Sequence, residues 1–263
     1  MSTSKTVTTL HGALLLLLGV AAAVPVASAA AKTHTLPASF PRCSVSSPQL
    51  SSCLKSAVQV VIPELVKGVP SLGVLSIDPM EILEADISGA PMGPVAIALN
   101  FKKLRISGLG SAEVMSISYD PRAHRISMRA RVKAPLRLDG GYSIDGRVLV
   151  LPIKGNGQCS LRLDDVTADL SLAAHEVTRN GQKHLAVDKL SLSFDTTKLH
   201  MRFDNLFNGN KELGDTMNRF LNENWPDILR ELKPSIDETF GAAFQALASR
   251  IFMKVPYNNI FLP

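Results

Sequence analysis

The sequence predicts an α+β fold: a long, curved antiparallel sheet wrapped around a long C-terminal helix. Three observations carry this. Near-strict apolar/polar alternation runs through the middle of the chain, helical spacing of apolar residues runs through its last quarter, and no Gly/Ser-rich or Pro-rich linker interrupts 43–263.

The N-terminus comes first. Residues 1–12 carry Lys5 and His11 and no acid, 13–26 is apolar with five consecutive leucines (Leu14 to Leu18), and Ala27-Ser28-Ala29 has the small-x-small form of a cleavage site. This pattern predicts a secretory signal peptide over 1–29, since the run is short of the ~20 residues a membrane span needs. The mature protein is then expected to be extracellular, one domain over 30–263. In an oxidising compartment Cys43 and Cys53, nine residues apart, are expected to form a disulfide worth about 2–4 kcal/mol, while Cys159 reads as a buried thiol.

Strand signals follow. Val95 to Phe101 alternates, with Ile97, Leu99 and Phe101 on one face. The pattern resumes out of phase at Leu104-Arg105-Ile106, and the slip at Lys102-Lys103 predicts a bulge. From 125 to 138, Ile126, Met128, Ala130, Val132, Ala134, Leu136 and Leu138 point one way and Arg125, Ser127, Arg129, Arg131, Lys133, Pro135 and Arg137 the other, predicting a single strand of roughly 46 Å at about 3.3 Å per residue. Further strands are expected over 112–120, 142–153, 158–172 and 185–203, with Asp164-Asp165 at a phase change that reads as a turn or bulge. One apolar and one charged face imply an antiparallel sheet wet on one side.

After the turn signal Asn208-Gly209-Asn210, apolar residues including Leu213, Met217, Phe220, Leu221, Ile228, Leu232, Ile236, Phe240, Phe244, Leu247 and Ile251 fall mainly on steps of three, four or seven. Acids near the start and bases near the end suit the helix dipole. A helix over 211–253 would run roughly 65 Å at about 1.5 Å per residue. Pro226 and Pro234 each remove a backbone bond, so kinks or a break are expected.

Composition narrows the function. The formal charge is +5, or +4 without 1–29, and aromatics are 5% of the chain. The basic residues alternate along strands instead of clustering with aromatics, which argues against a nucleic-acid surface. The outward row Arg129, Arg131, Lys133, Arg137 reads as a solvated strand face, with weak attraction to anionic membranes as its functional alternative. There is no Gly-x-Ser-x-Gly elbow, His-Glu-x-x-His, P-loop or paired-cysteine zinc spacing, and the six histidines are dispersed. No catalytic residue, metal or cofactor is assigned, and an enzyme is not expected.

The signal peptide, the early cysteine pair, Gly68-Val69-Pro70-Ser71-Leu72-Gly73 running into Asp78-Pro79, the block Asn205-Leu206-Phe207-Asn208-Gly209 through Leu213-Gly214 to Asn222-Glu223-Asn224-Trp225, and the ending Val255-Pro256-Tyr257 together resemble the insect Takeout and haemolymph juvenile-hormone-binding protein family, of the tubular lipid-binding superfamily. The resemblance covers essentially the whole mature chain. Haemolymph hormone carriers of the family typically have a second disulfide, for which Cys159 has no partner, so the Takeout branch is favoured. The resemblance implies an elongated apolar tunnel and a carrier of juvenile-hormone-like terpenoids, fatty acids or similar lipids, with links to circadian and feeding physiology.

Tunnel candidates are Ile97, Leu99, Phe101, Ile126, Met128 and Val132 from the strands and Met217, Phe220, Leu221, Trp225, Phe240 and Phe244 from the helix; each is also a plausible ordinary core residue. Tyr119 and Tyr142 read as surface or strand-edge residues, with a polar handle for a ligand head group as their functional alternative. The competing reading is a secreted signalling protein that acts through a protein partner and has a structural, unoccupied tunnel. A monomer with transient membrane or receptor contact is expected.

Overall fold

The computed structural model describes residues 35–263, so the predicted signal segment 1–29 lies outside the described residues. In chain order the elements are β1 (Cys43–Ser44), α1 (Leu50–Lys67), β2 (Met80–Ser88), β3 (Val95–Ser107), β4 (Ala112–Asp120), β5 (Arg125–Val132), β6 (Leu136–Val148), β7 (Leu151–Asp164), β8 (Thr167–Arg179), β9 (Gln182–Asp195), β10 (Lys198–Phe203), α2 (Lys211–Glu223), α3 (Trp225–Lys254), α4 (Tyr257–Ile260) and β11 (Phe261–Leu262).

Two open antiparallel sheets replace the single sheet that alternation suggested: β10-β7-β6-β3-β2 and β4-β5-β8-β9. The predicted strands 125–138, 158–172 and 185–203 each run from one sheet into the other, broken at a common waist. The causes are local. Pro135 has no N–H to donate, and Ala134 N–H goes to Ser111 Oγ at 2.9 Å instead of to a ladder. Asp165 adopts φ +50°. Thr196 donates its hydroxyl to Asp164 O at 2.6 Å, ending β9. Asp78 holds the turn between β3 and β4, accepting from Gly108 N–H at 3.0 Å and Gly110 N–H at 2.8 Å. The bulge in β3 is present: pairing with β6 slips between Lys102 and Arg105, and Lys103 has φ +50°.

The C-terminal helix is interrupted at Asn224, which has left helical geometry (φ −109°, ψ 15°), with Pro226 in the first turn of the next segment. Pro234 is carried inside α3.

All four sheet edges meet a helix that bonds them through side chains. On α2, Asn222 accepts from Met201 N–H at 2.8 Å and donates to Met201 O at 2.7 Å. Asn218 does the same for Phe203, at 2.9 Å each way. Four residues of helix rise about 6 Å and two residues of strand about 6.6 Å, so amides at i and i+4 reach successive outward-facing peptide groups of β10. On α1, Gln59 accepts from Val114 N–H at 2.9 Å and donates to Ala112 O at 3.1 Å, covering β4. On α3, Gln245 accepts from Leu190 N–H at 3.1 Å on β9, while Ser235 accepts from Ser88 N–H at 3.0 Å and Thr239 donates to Asp86 O at 2.9 Å on β2. Each of these side chains occupies backbone groups that a neighbouring strand would otherwise pair, which blunts the edges. One helix, α3, thereby spans from the edge of one sheet to the edge of the other.

Cys43 and Cys53 form the expected disulfide, and Cys43 pairs in parallel with Phe261, tying the two ends of the described chain together. Cys159 is a buried free thiol.

Candidate functional site

The interior divides at the waist. The inner face of the five-stranded sheet, α2 and the first half of α3 share one continuous core. Ile97, Leu99, Phe101, Val132, Met217 and Leu221 are buried in it, with Phe220, Trp225 and Phe240 packed against it. Tyr142 lies there too, buried rather than at the surface. It donates its hydroxyl to Asp204 O at 2.6 Å, and its ring meets Phe203 edge-on at 4.8 Å.

The apolar residues under the four-stranded sheet fall into two clusters, and a third joins Val69, Leu72 and Val74 to α1 and α3. Ile117, Met128, Leu170 and Leu192 stand directly opposite one another across all four strands and form one inward row. Of these only Ile117 is buried; Met128, Leu170 and Leu192 keep partial exposure although they face the helices. Ile126 and Phe244 are in the same state. From one side α1 brings Leu54, Val58 and Ile62 against Val114 and Ile117. From the other, α3 brings Phe244, Ala248 and Phe252 against Leu172 and Leu190. Gly241 allows this approach, since a Cβ there would meet Leu190 O at 3.2 Å. Of the twelve tunnel candidates, Ile126, Met128 and Phe244 are thus in this half and the other nine in the continuous core.

A polar cluster sits at the end of the four-stranded half away from the waist. Tyr119 Oη is 3.0 Å from His124 Nδ1 and donates to Tyr257 Oη at 3.3 Å; His124 Nε2 is 3.6 Å from Glu176, which pairs with Lys183 at 2.7 Å. The Tyr119 ring stacks on Phe261 at 4.5 Å. Burial first, and the Tyr257 hydrogen bond second, push the Tyr119 hydroxyl far above the ordinary phenol range, so it stays protonated and able to donate. Apolar surface that is not fully closed on itself, ended by hydroxyl and imidazole groups, can shelter a long hydrophobic molecule and orient a polar end.

A groove of about 500 Å³ lies on the same four strands. Its lining combines six serines, Arg129 and Asp169 with the whole apolar row Ile117, Met128, Leu170 and Leu192, and the exposed serines Ser118, Ser127, Ser171 and Ser191 are aligned across the sheet. The serines, Arg129 and Asp169 alternate with the apolar row and put their polar side chains on the wet face. On that face Arg129 pairs with Asp169 at 2.8 Å, Arg131 with Asp165 at 3.3 Å and Lys133 with Glu113 at 3.1 Å, cancelling most of the basic row read from the sequence. Among the described residues no group of histidine, cysteine and acidic side chains is arranged to hold a metal, and no helix is long and apolar enough to cross a membrane.

Sequence reading missed Leu170 and Leu192. Their signal was present in the alternation of 168–172 and 190–194, but long predicted strands crossing the waist hid which half each belonged to.

A family model for haemolymph juvenile hormone binding protein matches residues 14–262. The chain is 26% identical over 234 residues to the circadian clock-controlled protein daywake of Drosophila melanogaster, covering 86% of this chain and 88% of that one. It is 24% identical over 217 residues to a putative beta-carotene-binding protein of Schistocerca gregaria, covering 82% and 85%. Among solved structures, Takeout 1 of Epiphyas postvittana superposes with a TM-score of 0.73 at 28% identity, covering 85% of this chain and all of that one.

Proposed function

The chain belongs to the haemolymph juvenile hormone binding protein family, and from that premise we propose that its residues 30–263 are a secreted, monomeric, non-enzymatic carrier of one small hydrophobic molecule. The ligand is of juvenile-hormone-like terpenoid, fatty-acid or similar lipid chemistry, and it lies between the inner face of β4-β5-β8-β9 and helices α1 and α3. The observation that carries the reading is the inward row Met128, Leu170 and Leu192. Large apolar side chains facing the interior yet partly accessible are left for another apolar body to cover.

The driving force is burial. Each CH₂ leaving water contributes about 0.8 kcal/mol, so a ten-carbon chain supplies roughly 8 kcal/mol before association costs. Met128 and Phe244 shape the bore, methionine adapting to varied ligands. The hydroxyls of Tyr119 and Tyr257 at the end of this half are the polar groups for an ester, epoxide or carboxyl end. The daywake relatives support a link to circadian physiology, and the printed name of the locust relative supports a ligand with a long hydrocarbon body.

Native mass spectrometry of the secreted protein, followed by organic extraction, tests this directly. A stoichiometric lipid or terpenoid is expected, as is competitive displacement of a fluorescent fatty-acid probe. Leu170→Trp, which fills the interior, is expected to weaken the probe while the fold melts as before. Folded protein that carries no ligand and binds neither fatty acids nor juvenile-hormone analogues overturns the proposal.

A further inference from the structure

Two neighbouring hairpin loops form the end of the five-stranded sheet that points away from the waist. Loop 89–94 joins β2 to β3 and loop 149–150 joins β6 to β7. Val95 pairs with Val148, Leu149 N–H donates to Pro94 O at 2.6 Å, and Arg147 donates to Gly93 O at 3.4 Å, so the loops lie side by side. Their sequences, with the two residues that follow the second, are Gly-Ala-Pro-Met-Gly-Pro and Leu-Val-Leu-Pro: ten residues without one charged or hydrogen-bonding side chain. Met92 is 96% exposed, Val150 84% and Leu151 37%.

Turn chemistry makes the choice of residues informative. The two-residue loop of the β6–β7 hairpin has φ +53° at its first position, where glycine, asparagine or aspartate is favoured, yet the residue is Leu149, whose side chain packs on the core and leaves Val150 to project. At the opposite end of the molecule β8–β9 follows the ordinary rule, while the β4–β5 loop departs from it with His124 at φ +45° but is polar. There β8–β9 turns on Asn180-Gly181, both at positive φ, between Arg179 and Lys183, and the β4–β5 loop carries Arg122 and His124. One end is polar and built for water; the other retains apolar side chains at a backbone cost.

We propose that the tip formed by 89–94 and 149–152 is a membrane-docking surface that inserts Met92 and Val150 into the interfacial zone of an anionic phospholipid bilayer. The tip projects and is small: three exposed apolar side chains fall far short of the about 800 Å² per partner that a stable protein interface buries. Shallow insertion of an apolar knob needs no such area. Arg147, at the base of the tip, has no acidic partner among the described residues and sits where lipid phosphates would lie, whereas Lys154 on the adjoining strand is paired with Asp145 at 3.2 Å. The basic row of β5 cannot replace it, being paired with acids. This docking is independent of whether the interior holds a ligand.

Flotation of the full secreted protein with phosphatidylcholine–phosphatidylglycerol vesicles is the test, with Met92→Trp as a depth reporter. Wild type is expected to float, and Met92→Trp to shift its emission to the blue and to be quenched by brominated lipid. Met92→Asp combined with Val150→Asp is expected to lower the bound fraction about tenfold with unchanged melting, because both side chains are exposed. Leu75→Asp, a 76% exposed control elsewhere, keeps binding. Raising salt from about 0.1 to about 0.5 M weakens but does not abolish it. Absence of flotation, full binding by the double aspartate variant, an equal loss in Leu75→Asp, or complete loss in salt each overturns the proposal. Failure here leaves fatty-acid probe binding untouched, so the two readings fall separately.

Discussion

The two sheets share one construction and differ in how they are closed. Both alternate apolar and polar residues, and both have edges covered by helix side chains. In the five-stranded half, α2 and the start of α3 lay Met217, Leu221, Ile228 and Leu232 into the sheet, and the core is continuous, with Leu104 fully buried and Ile153 and Leu206 each at 1% exposure. In the four-stranded half, α1 and the end of α3 each pack with their own part of the inner face, leaving Met128, Leu170 and Leu192 partly open between. Alternation therefore tells which face is apolar, whereas the path of the helices decides whether that face is sealed.

The largest expected effect tests this difference head-on. Leu104→Ala is expected to cost about 2–5 kcal/mol, since it removes a fully buried side chain from a closed core. Leu170→Ala, partly exposed, is expected to cost about 1–2 kcal/mol and to weaken fatty-acid probe binding, which Leu104→Ala leaves unchanged once the protein is folded. Urea midpoints with a probe titration read both. Equal costs would break the comparison.

The edge amides come next. Asn222→Ala leaves the N–H and C=O of Met201 unpaired in a part-buried setting, for an expected cost of about 2 kcal/mol and faster hydrogen exchange at the Met201 amide. Gln245→Ala is expected to cost less, because its 3.1 and 3.3 Å bonds lie at the more open half. A larger loss at Gln245 would mean that the four-stranded half depends on its helix more than its looser interior suggests.

Much of this was legible in the sequence, and the limits have physical causes. The apolar faces of β3 and β5, the bulge at Lys102-Lys103, the helix break beside Pro226 and the Cys43–Cys53 pairing all rest on short-range rules of period, backbone chemistry and compartment. The waist was not legible as such. Alternation continues in phase through 133–135, and where the phase does change, at 164–165 and between Phe194 and Leu199, the change marks a turn or bulge without showing that the backbone has passed to another sheet. Equally hidden were the roles of Asn218, Asn222, Gln59 and Gln245, since an amide on a helix reads as a solvated polar residue until a strand edge is placed beside it. The nine tunnel candidates in the continuous core and the three in the open half were indistinguishable by type; only the route of α1 and α3 separates them.

Alkaline pH offers a milder probe of the sealed half. Burial, the largest cause, pushes the Cys159 thiol from its ordinary 9.0 up to about 12. A pKa raised on folding means the unfolded chain ionises first. The contribution is therefore intact below about pH 9 and is lost as pH rises toward 12, and Cys159→Ala is expected to flatten that part of the alkaline melting curve. Tyr142, also raised to about 12 by burial, leaves a residual slope. Reaction of Cys159 with a thiol reagent at about pH 8 is expected to be slow in folded protein. Fast labelling would show that the five-stranded core opens as readily as its neighbour.

The smallest expected effect lies on the outside. Arg129 makes a two-pronged bond to Asp169, at 2.8 Å for each contact, and the partnership raises the Arg129 pKa and lowers that of Asp169. Both side chains are more than half exposed, so water and salt recover most of what the pair gains. The corresponding pair in the other half, Arg162 with Asp164 at 2.9 Å, is similarly placed on the wet face. Arg129→Gln and Arg162→Gln are accordingly expected to leave melting unchanged within error at physiological salt, and to leave probe binding alone. If instead Arg129→Gln alone loosened the fold or released ligand, the four-stranded half would be held together by its outer face, with β5 and β8 clamped by charge where their inner residues fail to close. A null result for both pairs places the whole difference between the halves in what the helices do or do not bury.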